Sequence, residues 1–375
     1  MEDTKVRGRR AVNQSPYNYT SEICISRPQN TPAKELSIQL NTRLSHDWSI
    51  LYDHPSAHPI DLNSVPVIDL NNPELTNKIG KACEEWGVFL IRNHGIEPEL
   101  LNRFDSQIHR LFALPIEVKL KVAKTQGTDS GYGGAPISHL FSKFMWYEGF
   151  AITAGSPVDH AQILWPDDYS SFCEVIEEYK KAIIPLGYRL MHLMLLSLGL
   201  TEEEIDNSLI GDSTKIKNAI HLNSYPACPD PDRVVGLAPH TDTGFVTILY
   251  HNGVSGLQVL RRKDDIGPAR WVTVPVVPNT FVVNICDLMH VLSNGTFHNV
   301  VHRSMVSKTN QRLSAAYFFG PQVDVKVGPL SELTGPEQGL PLYRPVTWLE
   351  LQKLKSTLHD KALQSMKIEE LRKGA

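Results

Sequence analysis

Two rhythms divide the chain. From about residue 218, short β-branched and aromatic runs alternate with Gly, Asn and Pro turns: HLNSYPAC, VVGLAPHTDTGFVTILYH, GLQVLRR, WVTVPVV, TFVVNIC, NVVHRSMV and RLSAAYFFG. Seven or eight strands at this spacing predict a closed sheet sandwich of jelly-roll type. Upstream the period lengthens. ELTNKIGKACEEW (74–86) places Ile79, Ala82, Cys83 and Trp86 at i, i+3, i+4 and i+7, one face of a helix. PELLNRFDSQIHRLFAL (98–114) predicts a second helix that stops at Pro115, and 169–200 a long one kinked at Pro185. Thr201 with Glu204 three later has capping-box spacing. VPVIDL (65–70) and GVFLIRNHGI (87–96) read as strands, and residues 126–168 as irregular, Gly- and Pro-rich chain.

The pattern predicts a mostly β core with flanking helices, an α+β double-stranded β-helix (jelly roll) with a helical N-terminal region and a C-terminal helix. The expected divisions are a loose polar extension over 1–60, a helical and β region over 61–215 packing on the barrel, the jelly-roll core over 216–321, and a helical segment over 322–375.

Composition narrows the setting without naming a chemistry. The 375 residues are 41% hydrophobic and 21% charged, and 37 basic against 41 acidic residues leave a net charge of −4. That balance suits a soluble globular protein and argues against nucleic acid as a partner. Five scattered cysteines without a CxxC pair suit reduced thiols and a cytoplasmic setting. The opening MEDTKVRGRRAVNQ lacks a signal-peptide apolar core, and LMHLMLLSLGL (190–200) is too short for a bilayer, so no membrane association is expected.

Candidate chemistry concentrates in APHTDTGFV (238–246). On an extended strand His240 and Asp242 share one face, and an imidazole beside a carboxylate supplies two members of a metal site or a hydrogen-bonded pair at a turn. A facial triad of two histidines and one carboxylate holds iron(II) with three positions open. The second histidine would come from FHNVVHRSMV, where His298 and His302, four apart, both qualify on strand parity. In RLSAAYF, Arg312 and Ser314 share a strand face, and a guanidinium fork beside a hydroxyl receives a carboxylate well. Triad and receptor together suit a small diacid that chelates metal at one end.

HTD, then HRS about sixty residues on, then RLS ten after that histidine, resembles the plant 2-oxoglutarate- and iron(II)-dependent dioxygenases. VPVIDL, ACEEWGVFLIRNHGI, NSYPACPDPDRVVGLAPHTD, SGLQVL and DLMHVLSNG extend the likeness over about 60–330. GYGG (131–134), FMWYEGFAI (144–152), LWPDDY (164–169) and TILYHNGVSGLQV (247–259) look like the gibberellin 3-oxidase branch. The resemblance implies Fe(II) on His240, Asp242 and His302, since the family ligand precedes an arginine. It implies 2-oxoglutarate on Arg312 and Ser314, with Tyr225 and, more weakly, Asn223 beside it. The implied reaction joins dioxygen, 2-oxoglutarate and a gibberellin C–H bond, giving the alcohol, succinate and carbon dioxide, with ascorbate as reductant; a monomer is expected. Tyr132, Phe144, Trp146 and Tyr147 are expected to wall the substrate pocket, with Lys143 for its carboxylate. Oxidation at another gibberellin carbon (C-2, C-7 or C-20), or of a flavonoid, and a non-catalytic small-acid binder are the competing readings. His94, His221, His251, His290 and His298 are expected to pack or lie at the surface. Two positions depart from the family pattern: Cys286 stands where a glycine usually precedes the aspartate, and Asn279 replaces a turn glycine.

Overall fold

The computed structural model describes residues 65–369 apart from 126–129, 135–137, 139–142, 154–156, 262–268 and 337–338. The expected extension over 1–60 lies outside the described residues.

Eight strands come from the predicted runs: β5 (Ile216–Tyr225), β6 (Leu237–His240), β7 (Val246–His251), β8 (Leu257–Arg261), β9 (Arg270–Thr273), β10 (Phe281–Ile285), β11 (His302–Ser304) and β12 (Arg312–Pro321). Preceding them are β1 (Val67–Asp69), β2 (Val88–Arg92), β3 (Gly131–Tyr132) and β4 (Glu148–Ile152). The major sheet runs β1-β2-β10-β7-β12-β5-β4-β3 and the minor sheet β6-β11-β8-β9, with β13 (Lys326–Val327) and β14 (Val346–Thr347) as a separate pair. The N-terminal strands thus extend both edges of the major sheet, so no jelly-roll strand of that sheet is left with an open edge.

The two faces of the major sheet are chemically distinct because side chains alternate along each strand. Leu313, Ala315, Tyr317 and Phe319 of β12 join Leu222, Ile220 and Ile248 in a core shared with the helices. These are α1 (Leu75–Glu85), α2 (Pro98–Ala113), α3 (Ile116–Lys119), α4 (Val158–Leu164) and α5 (Tyr169–Ser197), of which α1, α2 and α4 pack on α5. Helix α5 runs on through Pro185. A Cβ at its Gly187 would fall 2.0 Å from Phe319 Cζ, so the glycine lets the ring dock against the helix. The opposite face looks at the minor sheet: Leu249, Val282 and Ala316 cluster with Leu257, Val259 and Val272.

The expected capping box holds at α6 (Glu202–Asp206), where Thr201 and Glu204 bond reciprocally. Residues 126–168 are not wholly irregular. Strand β4 pairs with β5 and helix α4 follows. Four of the five β4 residues are buried on successive positions, so the strand carries no polar–apolar alternation to betray it. Helix α7 (Asp287–Leu292) was likewise not predicted, because all six of its residues are buried and show no amphipathic stripe. The charged tail forms α8 (Trp348–Leu358). Asn279 sits at φ +53°, a left-handed angle that asparagine tolerates in place of glycine. Cys286 caps α7 at φ −101° and ψ 173°, extended backbone that needs no glycine.

Candidate metal centre

Register brings two histidines together across the minor sheet. His302 of β11 lies opposite His240 of β6 on one side and Val259 of β8 on the other. Val259 faces the major sheet, so both imidazoles point into the barrel. Their ring centroids are 4.2 Å apart. Asp242 arrives differently from the strand-face expectation: β6 ends at His240, and Asp242 lies in the turn beyond it. Its backbone carbonyl accepts from Asp287 N–H at 2.8 Å, and its Oδ2 accepts from the Thr247 hydroxyl at 2.7 Å. Oδ1 then stands 3.6 Å from His240 Nε2 and 3.9 Å from His302 Nε2.

These contacts fit a metal ion. His240 Nδ1 is 2.8 Å from Ala238 O and His302 Nδ1 is 3.2 Å from Val300 O. A carbonyl only accepts, so each Nδ1 carries the proton and each Nε2 turns a lone pair inward. One atom from each of the three residues lies within 4.8 Å of the others. An ion about 2.0–2.2 Å from each donor spans separations of this size. Burial drives the His240 pKa well down, and neighbouring His302 adds to this, so the ring is neutral as a ligand must be. Burial alone would raise Asp242. The neighbouring imidazoles of His302 and His240, the Thr247 hydroxyl and the Lys355 ammonium outweigh it and hold the carboxyl pKa below its usual value.

His298 is elsewhere. Its N–H donates to Cys83 O at 2.9 Å, and its backbone packs so close to Gly87 that a Cβ there would lie 2.1 Å from His298 O.

The second half of the site stands on the inner face of the major sheet. Arg312 lies opposite Tyr225, and Ser314 opposite Asn223 and His251. All four predicted co-substrate residues therefore share one face, and Arg312, Ser314 and Tyr225 are 1%, 1% and 2% exposed. Arg312 Nε and Nη1 are buried with no hydrogen-bond partner among the described residues. The Arg312 side chain fits because Gly256 lacks a Cβ that would fall 3.0 Å from its Cδ; Gly236 similarly clears the Tyr225 ring. Burial lowers the Arg312 pKa, with the Tyr225 hydroxyl opposing, yet a guanidinium stays charged. Burial also takes His251 down to about 4 and His221 to about 3. Both imidazoles are thus neutral, and the charged side chain on the inner face of β12 is Arg312. A buried guanidinium with unused donors fits the carboxylate of a diacid.

The predicted pocket residues are dispersed. Tyr147 stacks on Tyr225 at 6.0 Å, and its hydroxyl meets Ser138 at 3.1 Å. Trp146 packs behind Tyr225 with Cys228, Val234 and Val306, and its indole donates to Pro226 O. Tyr132 donates to Glu148, which also binds Lys119. Lys143 is half-buried and Phe144 is 55% exposed. Sequence reasoning missed Thr247 and Lys355. Thr247 lies opposite Asn284 on the inner face, five residues past Asp242, and strand parity from β10 could have found it. Nothing in the charged tail singles out Lys355.

Two family models match: the 2OG-Fe(II) oxygenase superfamily over residues 216–321, and the non-haem dioxygenase in morphine synthesis N-terminal region over 65–170. Gibberellin 3-beta-dioxygenase 1 of Arabidopsis thaliana is 44% identical over 328 residues, covering 86% of this chain and 90% of the relative. Its namesake of Pisum sativum is 45% identical over 332 residues, covering 86% of each. Among solved structures, JOX2 in complex with 2OG, Fe and JA aligns at TM-score 0.68 and 32% identity over 81% of this chain and 91% of its own. The dioxygenase for auxin oxidation in rice aligns at 0.66 and 26% over 81% and 99%. The chain belongs to the 2-oxoglutarate- and iron(II)-dependent dioxygenases, in the gibberellin 3-beta-dioxygenase branch. Membership implies Fe(II) and 2-oxoglutarate as cofactor and co-substrate. No helix among the described residues is long and apolar enough to cross a membrane.

Proposed function

We propose that this protein hydroxylates a gibberellin at C-3β, converting the free acid, dioxygen and 2-oxoglutarate to the alcohol, succinate and carbon dioxide. The observation that carries the reading is identity of 44–45% to gibberellin 3-beta-dioxygenases over 86% of the chain. His240, Asp242 and His302 hold Fe(II), which when bound supplies dioxygen activation. Arg312 and Ser314 hold the far carboxylate of 2-oxoglutarate, with Tyr225 and Asn223 beside it. The protein's own part is placement: the triad and the arginine stand on opposite sheets, so a short diacid bridging them has one orientation. Apolar side chains between the two sheets, with Val259 next to His302, keep bulk water away from that side of the site.

Ascorbate serves as reductant, and the enzyme works as a cytoplasmic monomer. Tyr147 and Trp146, packed against Tyr225, with Tyr132 and Phe144, form the apolar side of the substrate pocket, and Lys143 meets the substrate carboxylate. The test is incubation with C19 and C20 gibberellins, an auxin and a flavanone, followed by mass spectrometry. A C19 gibberellin lacking oxygen at C-3 should be hydroxylated there and its methyl ester should react poorly. Turnover of the flavanone, or of ester and acid alike, would remove the gibberellin reading and leave the iron and 2-oxoglutarate assignments standing.

A further inference from the structure

Neither family model reaches the C-terminal segment, since the later one ends at residue 321. Yet α8 returns to the metal loop. Lys355 Nζ donates to Thr241 O at 2.7 Å, to the Thr241 hydroxyl, and to Asp287 Oδ2 at 2.7 Å. At the start of the same helix, Trp348 Nε1 donates to Thr243 Oγ1 at 2.8 Å. One helix therefore grips the residues on both sides of Asp242. Asp287 completes the clamp: its carboxylate, fully buried, takes Lys355 on one oxygen and Asn299 on the other, while its N–H holds Asp242 O.

Asp242 needs such support because it lies beyond the end of β6, where no sheet ladder fixes the backbone. His240 and His302 are set by register; Asp242 is set only by what grips its loop. We propose that Lys355 is a positioning residue, its ammonium fixing the Thr241–Asp242 backbone so that the carboxylate meets the two imidazoles. The C-terminal helix is then part of the metal site. This rests on the reading that His240, Asp242 and His302 hold the metal.

The test is Co(II) titration of the metal-free, full-length protein, followed by the visible absorption of the bound ion, with thermal melting of each variant. Wild type should bind and His302→Ala should not; equal binding by both would sink the triad reading itself, whatever Lys355 does. Lys355→Met combined with Asp287→Asn removes both charges and leaves neither buried alone. Its Co(II) dissociation constant should rise about ten- to a hundredfold, the usual cost of losing a partner that orients a ligand. Asp287→Asn alone, which keeps the Thr241 contacts, should stay within about threefold, and Lys355→Arg should recover most of the affinity. Leu351→Val, a packing change in the same helix, should lower the melting temperature and leave Co(II) affinity alone. If the double variant does not fold, Lys355→Gln is read by the same criterion. The proposal is overturned if the folded Lys355→Met/Asp287→Asn protein, or the folded Lys355→Gln protein, binds Co(II) as wild type does. It is equally overturned if Asp287→Asn or Leu351→Val weakens binding as much as loss of Lys355.

Discussion

The two faces of β12 are built from alternate residues of one ten-residue strand, and they are finished to different degrees. Outward, Leu313, Ala315, Tyr317 and Phe319 are buried against helices, where the unpartnered polar atoms among the described residues, the Tyr179 hydroxyl and Asn218 Oδ1, are neutral. Inward, Arg312 keeps two donors, and Asn284 Oδ1 on β10, one strand beyond β7, is also buried, all without a partner among the described residues. Buried polar groups left open are costly, so a protein keeps them where something else will satisfy them. The outer face is a stability surface and the inner face a receiving one. A single strand can serve both because its period is two.

The largest losses of function lie at the metal ligands. His240→Ala, Asp242→Ala and His302→Ala should each take succinate release to background while the melting temperature holds, because these side chains carry little of the packing. His298→Ala should keep most activity. Loss of iron in His298→Ala but not in His302→Ala would reverse the assignment.

The outer face should behave oppositely. Phe319→Ala should cost about 3–5 kcal/mol in urea unfolding, the range for buried aromatic truncation. Gly187→Ala, which drives a methyl into the same ring, should cost about 1–3 kcal/mol. In both, the 2-oxoglutarate KM of the folded fraction should stay put. A KM shift in step with the stability loss would mean that the two faces are not independent.

Next in size is the inner-face cation. Arg312→Lys keeps charge and loses the fork, so the 2-oxoglutarate KM should rise more than tenfold, from about 1.5–3 kcal/mol of charge-assisted bonding. The gibberellin KM should move much less. Added 2-oxoglutarate should raise the melting temperature of wild type by mass action and do so far less in the variant. Equal rises in both Michaelis constants would place Arg312 away from the co-substrate.

This division explains what could be read from the sequence. The eight jelly-roll strands were legible because turn residues bound each run, and Arg312 and Ser314 were legible because parity is a local rule. His240 obeyed parity too, but Asp242 met it by another route, a turn held from a distance. Strand β4 and helix α7 hid because burial on every side erases periodicity. Lys355 hid because its partners lie 114 and 68 residues away, and no local pattern encodes such a contact. Choosing His302 over His298 needed the family motif; in the structure it is His302 that pairs opposite His240.

The smallest effect concerns Cys286, the departure that puts a thiol beside the metal loop. Thr247 has one hydroxyl proton, and it goes to Asp242 Oδ2, so Cys286 Sγ, 3.4 Å from Thr247 Oγ1, acts as donor toward that oxygen or toward Asn284 O. Burial, with nearby Asp242, pushes the thiol pKa well up, so the sulfur keeps its proton and adds no charge to the site. A thiol is a weak donor, and the backbone at Cys286 makes no demand for glycine. Thr247→Val removes the direct bond to Asp242 and should raise the Co(II) dissociation constant about tenfold, as expected for a lost bond to a charged acceptor. Cys286→Gly should raise it only about two- to threefold, the scale of a weak S–H contact. It should cost about 1–2 kcal/mol of stability from the emptied volume and the looser backbone. A Cys286→Gly enzyme as impaired in metal binding as Thr247→Val would mean that the thiol, rather than the hydroxyl, orients the carboxylate.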